Sequence, residues 1–235
     1  MNAPRLLAGR IEAVQKHEGG LPSAEAVHDM RVALRRLRAA LRLLRLRELD
    51  PPVKELQDAL GQVRDLQLQI EWLAGRPPSR RRTAALRKAE RALEPALAKW
   101  RDRTLPALLD AARKAKAPDA SRRRQILRKR LRRFEERLEA ALARPTPRAM
   151  HRVRISVKQI RYLFEIEKGP AAKLLLAELP PLQESLGQLH DMDVRAMPQE
   201  KAARAQLASI VKTQLQRWKN RDIIGIGVQT VTHRL

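Results

Sequence analysis

The chain has 235 residues, 43% of them hydrophobic, which is enough for one large domain or two small ones to bury a core. Its 50 lysines and arginines outnumber 26 acidic residues, and a net charge of +24 opposes compaction unless an anionic partner neutralises part of it. The absence of cysteine excludes disulfides, thiolate metal sites and cysteine nucleophiles.

Periodic leucine and alanine predict helices along almost the whole chain, separated by joints that are rich in glycine and proline. The predicted helices are 3–17, 24–48, 51–74, 79–116, 120–143, 147–168, 171–196 and 199–219. Pro95 and Pro106 in the fourth helix, and Pro180 with Pro181 in the seventh, predict kinks or breaks. We therefore expect an all-α fold with two sets of four helices.

The second predicted helix carries a basic stripe that begins at a histidine. Five arginines follow His28 at offsets of 3, 7, 10, 14 and 17, which places all of them on one helix face: Arg31, Arg35, Arg38, Arg42 and Arg45. Guanidinium groups suit phosphate, because each can donate two parallel hydrogen bonds to its oxygens. We call this stripe the first row and interpret it as a binding surface. The alternative is an ordinary solvated helix face.

The helix predicted over 147–168 carries the same pattern, 123 residues after the first. The first four positions of the stripe recur at His151, Arg154, Lys158 and Arg161. Glu165 then interrupts the second row before Lys168. The sequence therefore predicts a second cationic surface of the same kind.

The third and seventh predicted helices also match each other. Residues 56–66 and 182–192 share six of eleven positions, including the mid-helix glycines Gly61 and Gly187, which we expect to let a neighbouring helix approach closely. These matches predict an internal duplication. Its parts are a first repeat over 1–118, a second over 119–219 and an atypical tail over 220–235.

The tail differs from the rest of the chain in composition. Residues 223–228 are apolar, interrupted by glycine and β-prone. Four interpretations stay open: a disordered tail, an edge strand, an oligomer contact and the product of a shifted reading frame.

Two motifs that occur twice in the same order resemble the CHAD family, the conserved-histidine α-helical domain. They are His28-x-x-Arg31 before Leu60-Gly61-x-x-Arg64-Asp65, and His151-x-x-Arg154 before Leu186-Gly187-x-x-His190-Asp191. The resemblance covers about residues 3–219 and implies two pseudo-symmetric four-helix bundles whose basic rows meet around a central pore or cleft. It also implies binding of inorganic polyphosphate and association with polyphosphate granules. The family pattern has an acidic residue at the position of Gln67, so the first half departs from it. Asp193 keeps the acidic residue in the second half.

Several residues outside the two rows are further candidates. Arg64 joins the expected polyphosphate site, as do Arg124 and Arg128 of the fifth predicted helix, whose other arginines we interpret as a solvated surface. Asp65 and Asp191 are expected to orient arginines rather than act as catalytic acids. The two row histidines are either donors to phosphate or helix-start residues bonded to backbone or a neighbouring helix.

The residues together predict a non-enzymatic protein that binds inorganic polyphosphate. Only 3% of the residues are aromatic, so few rings can stack on bases, and no nucleotide-binding or nucleophile motif is recognisable. We expect no catalytic residue, metal or cofactor, no membrane contact, and a cytoplasmic location that includes polyphosphate granules. The alternatives are a basic protein that binds or compacts DNA or RNA, and a polyphosphatase that uses Asp65 or Asp191.

Overall fold

The computed structural model describes residues 1–73, 76–167 and 169–222, and within these ranges the chain forms α-helices and no β-strand. The predicted all-α class is confirmed, and each of the eight predicted segments is helical. The chain divides into two compact units, Met1–Ala117 and a second that begins at Pro118. None of the described helices has the length and apolar content needed to span a bilayer.

The described residues of the first unit form five α-helices. They are α1 Ala3–Gln15, α2 Ala24–Leu43, α3 Asp50–Glu71, α4 Arg80–Lys99 and α5 Leu105–Lys114, with a π-helical turn, Trp100–Thr104, between the last two. Helix α2 packs against α1 and α3, α3 packs against α4, and α5 packs against α1, while the π-helical turn contacts both α4 and α5. The unit is therefore a closed bundle in which α4 and α5 together form the fourth side. Its core includes Trp100 and the apolar seam of α2.

Within residues 118–167 and 169–222, the second unit forms four α-helices. They are α6 Ala120–Ala143, α7 Pro147–Phe164, α8 Pro170–Arg195 and α9 Lys201–Lys219. Neighbours in the chain again pack together, and α9 packs against α6. Phe134 of α6 meets Trp218 of α9 edge to face, with ring centroids 6.0 Å apart, and this pair lies in the core. The two units thus have the same cyclic order of helix contacts.

Of the two predicted helices that contain internal prolines, one is split and the other is continuous. Pro95 stays inside α4, whereas Pro106 is near the start of α5, directly after the π-helical turn, so the predicted split of that segment occurs there. The break predicted at Pro180 and Pro181 is wrong, because α8 is continuous. Leucines on both sides of this pair are buried in the core, and that packing holds the helix together despite two missing amide donors.

The prediction for the two mid-helix glycines is also wrong. A Cβ at Gly61 would meet only the guanidinium of Arg31, 3.5 Å from Nη2, and a Cβ at Gly187 would meet nothing within 4 Å. Neither glycine is therefore required by a neighbouring helix backbone among the described residues. Gly61 instead gives the Arg31 side chain a flat surface on α3.

Candidate anion-binding site

The two stripe helices begin in the same way, and this sets the register of their basic rows. The hydroxyl of Ser23 accepts a hydrogen bond from the backbone amide of Ala26 at the start of α2, and Thr146 does the same for Ala149 at the start of α7. In each case the row histidine follows the capping residue by five positions. The apolar seams beside the rows are buried as predicted, so the rows lie at the margin of each core.

In the first unit, the beginning of the row forms a cluster of cations with one residue of α3. Arg31 is half-buried over Gly61, and its Nη1 lies 3.9 Å from Oδ1 of Asp65, a carboxylate whose side chain is 70% exposed. Arg64 has Nη2 3.7 Å from Oε2 of Glu71. Both separations exceed hydrogen-bond length, so these carboxylates only partly compensate the two guanidiniums.

The pKa values of Arg31 and His28 are both lowered, which agrees with the incomplete neutralisation of the guanidinium charges by nearby carboxylates. Burial, followed by the charges of Arg35 and Arg64, lowers the pKa of Arg31, although Asp65 acts in the opposite direction. Partial burial together with Arg64 and Arg35 lowers the pKa of His28, so that its neutral form is favoured. Three guanidiniums, those of Arg31, Arg35 and Arg64, therefore lie close enough to His28 to oppose its protonation, and the four residues form one group. We call them the upper cluster of the first unit.

Further along α2 the row is neutralised inside the protein. Arg38 donates to Oδ1 of Asp50 from Nε over 2.6 Å and to Oδ2 from Nη2 over 3.3 Å, and its Nη1 donates to Gln57 over 3.1 Å. Arg42 donates to the same carboxylate over 3.0 Å. Burial alone would raise the pKa of Asp50, but these hydrogen bonds and charges lower it below its ordinary value. The structure thus gives two predicted phosphate ligands an internal anion.

Arg45 is not on the face predicted for it. The helix ends at Leu43, earlier than the predicted residue 48, because the amide of Leu46 turns back to the carbonyl of Leu41 over 2.9 Å. Arg45 lies in this turn with a left-handed φ of 65° and is exposed. Its side chain therefore does not continue the row.

In the second unit, the beginning of the row centres on two histidines. Nδ1 of His151 on α7 lies 3.4 Å from Nδ1 of His190 on α8, with ring centroids 4.6 Å apart. Partial burial and the charge of Arg154 lower the pKa of both rings. Lys158 lowers the pKa of His151 further, and His151 does the same for His190. Two carboxylates of α8, those of Asp191 and Asp193, act in the opposite direction on the pKa of His190. We call the two histidines with Arg154 and Lys158 the upper cluster of the second unit.

At the end of the second row, Arg161 is also neutralised inside the protein, but by a different carboxylate. Arg161 donates from Nη1 to Gln183 over 3.2 Å, as Arg38 does to Gln57 at the corresponding positions of the first unit. Its Nε lies 3.3 Å from Oε1 of Glu165, which follows it by one helical turn. Glu165 occupies the position at which the first row has Arg42. The residue that interrupts the second row is thus the internal partner of its last arginine.

Three arginines of α6 contact α7 and the residues that follow it. Arg123 lies 3.0 Å from the buried Glu167, Arg130 donates to Gln159, and Arg137 donates to Ser156 over 2.7 Å. Sequence reasoning missed this set, although a spacing of seven residues predicts one helix face. It instead selected Arg124 and Arg128.

The structure does not bring those two selected arginines into the second upper cluster. Arg128 is exposed and lies about 160° around the helix from Arg130, whose side chain contacts α7. Arg124 is half-buried and about 100° from Arg123. Lys168, and residues 223–235 of the tail, lie outside the described residues.

The acidic candidates Asp65 and Asp191 are placed differently in the two units. Asp65 faces Arg31 at 3.9 Å, whereas Asp191 is half-buried and acts to raise the pKa of its neighbour His190. Two residues further on, Asp193 binds Arg204 of α9 over 2.6 Å. Gln67, at the position equivalent to Asp193, donates to the carbonyl of Pro22. Among the described residues, no group of three or more histidine or acidic side chains could hold a metal ion.

Comparisons with known proteins agree on one family. A family model of the CHAD domain matches residues 5–197. The crystal structure of the CHAD domain from the plant Ricinus communis is similar to this chain with a TM-score of 0.59 and 22% sequence identity, over 100% of this chain and 91% of that chain. At that identity the likeness concerns the fold. No curated protein matches the chain.

Proposed function

Because the chain belongs to the CHAD domain family, we propose that it binds inorganic polyphosphate and catalyses no reaction. The residues proposed to bind it are those of the two upper clusters: His28, Arg31, Arg35 and Arg64 in the first unit, and His151, Arg154, Lys158 and His190 in the second. Arg38, Arg42 and Arg161 have internal carboxylates as partners, and Arg45 lies in a turn outside the row. Each cluster therefore supplies a short, concentrated set of positive charges.

The observation that carries this proposal is the distance between the first upper cluster and its nearest carboxylates: Arg31 lies 3.9 Å from Asp65, and Arg64 lies 3.7 Å from Glu71. Burial, and then the charges of Arg64, Arg35 and Arg31, also lower the pKa of His28. A bound phosphate chain offers each of these guanidiniums an oxygen at hydrogen-bond distance. Polyphosphate has about one negative charge per phosphate unit, so one strand can serve several neighbouring guanidiniums.

The positions of the aromatic side chains favour polyphosphate over nucleic acid. The chain has six Trp, Tyr and Phe residues, and five of them are buried: Trp100, Phe134, Tyr162, Phe164 and Trp218. Single-stranded nucleic acid is usually held by stacking on exposed rings. A ligand that consists of phosphate alone needs no such rings.

The binding experiment compares long-chain polyphosphate with duplex DNA and RNA of equal charge at near-physiological salt. We expect polyphosphate to bind more tightly, and equal or tighter binding of a nucleic acid would refute the assignment. Arg31→Ala with Arg35→Ala should weaken binding strongly. By analogy with nucleic acids, the slope of log affinity against log salt concentration should become shallower by about 0.9 for each lost contact. Arg132→Ala with Arg133→Ala, which removes the same charge from the exposed face of α6, is the matched control.

A second experiment tests the absence of catalysis. The protein is incubated with polyphosphate and Mg²⁺, and released phosphate is measured. We expect no release above background. Metal-dependent release that disappears in Asp65→Asn or Asp191→Asn would instead support a polyphosphatase.

Two further parts of the proposal concern the ligand in the cell and the sharing of one strand. We propose that the protein is cytoplasmic and associates with polyphosphate granules, which a fluorescent fusion would test by co-localisation. The shared pore that the resemblance implies stays a prediction. Stoichiometry tests whether both clusters serve one strand. With strands only long enough for one chain, sharing predicts one bound strand per chain, and separate sites predict two.

A further inference from the structure

We propose that Asp50 and Glu165 limit the length of the anion-binding rows by acting as built-in substitutes for phosphate. This inference rests on the proposed function. Both carboxylates engage arginines that the helical spacing places in line with the upper clusters. A polyphosphate strand can therefore bind the beginning of each row but is excluded from its end.

The first step of the argument is the contrast in distance within the first unit. Asp50 is bound by Arg38 and Arg42 at 2.6 and 3.0 Å, whereas the closest carboxylate oxygen to Arg31 is 3.9 Å away, on Asp65. Charge-assisted hydrogen bonds form at about 2.7–2.9 Å. The end of the row therefore has its anion already, and the beginning has only a loose one.

The second step is the burial of the Asp50 contact. The Arg38 side chain is 12% exposed, the carboxylate of Asp50 is 20% exposed, and Gln57 takes a further Arg38 donor. A phosphate that approached Arg38 would meet a carboxylate of the same charge, which cannot move into solvent without losing several hydrogen bonds. Exchange of Asp50 for phosphate is thus unfavourable.

The third step is that the second unit reaches the same result with a different residue. Glu165 directly follows the last residue of α7, whereas Asp50 is the first residue of α3, the next α-helix after α2. Both carboxylates nevertheless neutralise the arginine at the same position of the row, Arg38 or Arg161, which also binds a glutamine in each unit. The two units thus use different carboxylates to neutralise the arginine at the same position. We infer from this that the place where each row ends is important for binding of the ligand.

The geometry gives the size of the effect. From His28 to Arg35 the row extends about 10 Å along α2, and from Arg35 to Arg42 it would extend about 10 Å more. Removing the charge of Asp50 therefore makes the available row about twice as long. The Arg38 and Arg42 guanidiniums would then be open to phosphate.

The experiment uses the full chain with Asp50→Asn, with Glu165→Gln, and with Asp110→Asn as the control. Asp110 binds Lys114 on the exposed side of α5, so its variant removes one negative charge at a position away from the rows. Affinity for long and short polyphosphate is measured as a function of salt. Thermal unfolding confirms that each variant is folded, and Glu165→Gln keeps the test available if Asp50→Asn unfolds.

We expect Asp50→Asn to bind long polyphosphate about tenfold more tightly at low salt, with a salt slope steeper by about 1.8 for two added contacts. Glu165→Gln should steepen the slope by about 0.9 for one. The gain should vanish for strands too short to reach the end of the row. A change no larger than that of Asp110→Asn would overturn this inference alone, whereas absence of polyphosphate binding by the unmodified protein would overturn the proposed function.

Discussion

The pair of histidines in the second unit should make polyphosphate binding depend on pH. Their Nδ1 atoms are 3.4 Å apart, so a proton on one ring opposes a proton on the other, and Arg154 opposes both. Burial and these charges lower the pKa of both histidines below 6.5, which leaves the pair neutral at pH 7.5. A bound polyanion favours the protonated form and raises the pKa again.

The magnitude follows from proton linkage. Between the pKa of the free site and that of the bound site, uptake of one proton makes binding about tenfold tighter for each unit of pH decrease. We expect one such proton for the pair, because the first charge opposes the second across 3.4 Å. Affinity should therefore rise on acidification from pH 7.5 and level off once the free pair is protonated.

The assay is titration calorimetry in buffers of different ionisation enthalpy, which counts the protons taken up on binding. His190→Arg gives the second unit the residue that the first unit has at Arg64, with a fixed charge. This variant should bind more tightly at pH 7.5 and take up fewer protons. Proton uptake in His190→Arg equal to that of the unmodified protein would refute the reasoning.

Three other predictions concern stability and are checked by chemical or thermal unfolding. Gly187→Ala should stabilise the protein by about 1 kcal/mol, because its Cβ meets nothing within 4 Å and alanine has the higher helix propensity; a loss of stability would contradict this. Arg123→Ala should cost about 3 kcal/mol, since it leaves the buried Glu167 without that cation, and Arg123→Met combined with Glu167→Leu should recover most of the loss. Without ligand, stability should fall as the pH drops below 6.5, because the unfolded chain binds protons at histidines whose pKa is lowered in the folded protein; polyphosphate should reduce this fall.

Much of the fold was predictable because helical periodicity is a local property. Buried leucines recur along each predicted helix, and hydroxyl caps such as Ser23 and Thr146 mark where the stripe helices begin. The end of α2 was not predictable in the same way. The basic pattern continues through Arg45, whereas the backbone leaves the helix after Leu43.

The candidate site was only partly predictable for a related reason. The offsets place Arg35 and Arg38 on one helix face, yet the structure gives Arg38 a bound carboxylate and leaves Arg35 beside His28 and Arg31. That difference depends on Asp50, which a separate helix contributes. Likewise, Glu165 looks like an interruption in the sequence, and its role as the partner of Arg161 needs the side-chain geometry.

The sequence by itself determined the helices, the basic faces, the positive charge and the family, because each depends on residue type and spacing along one helix. Only the tertiary structure decided which cations are available to a ligand. A helix fixes the direction of its own side chains, but the electrostatic state of an arginine depends on the groups that neighbouring helices bring within hydrogen-bond distance. In this protein those groups bind Arg38, Arg42 and Arg161 at the ends of the rows, whereas the nearest carboxylate oxygen to Arg31 is 3.9 Å away.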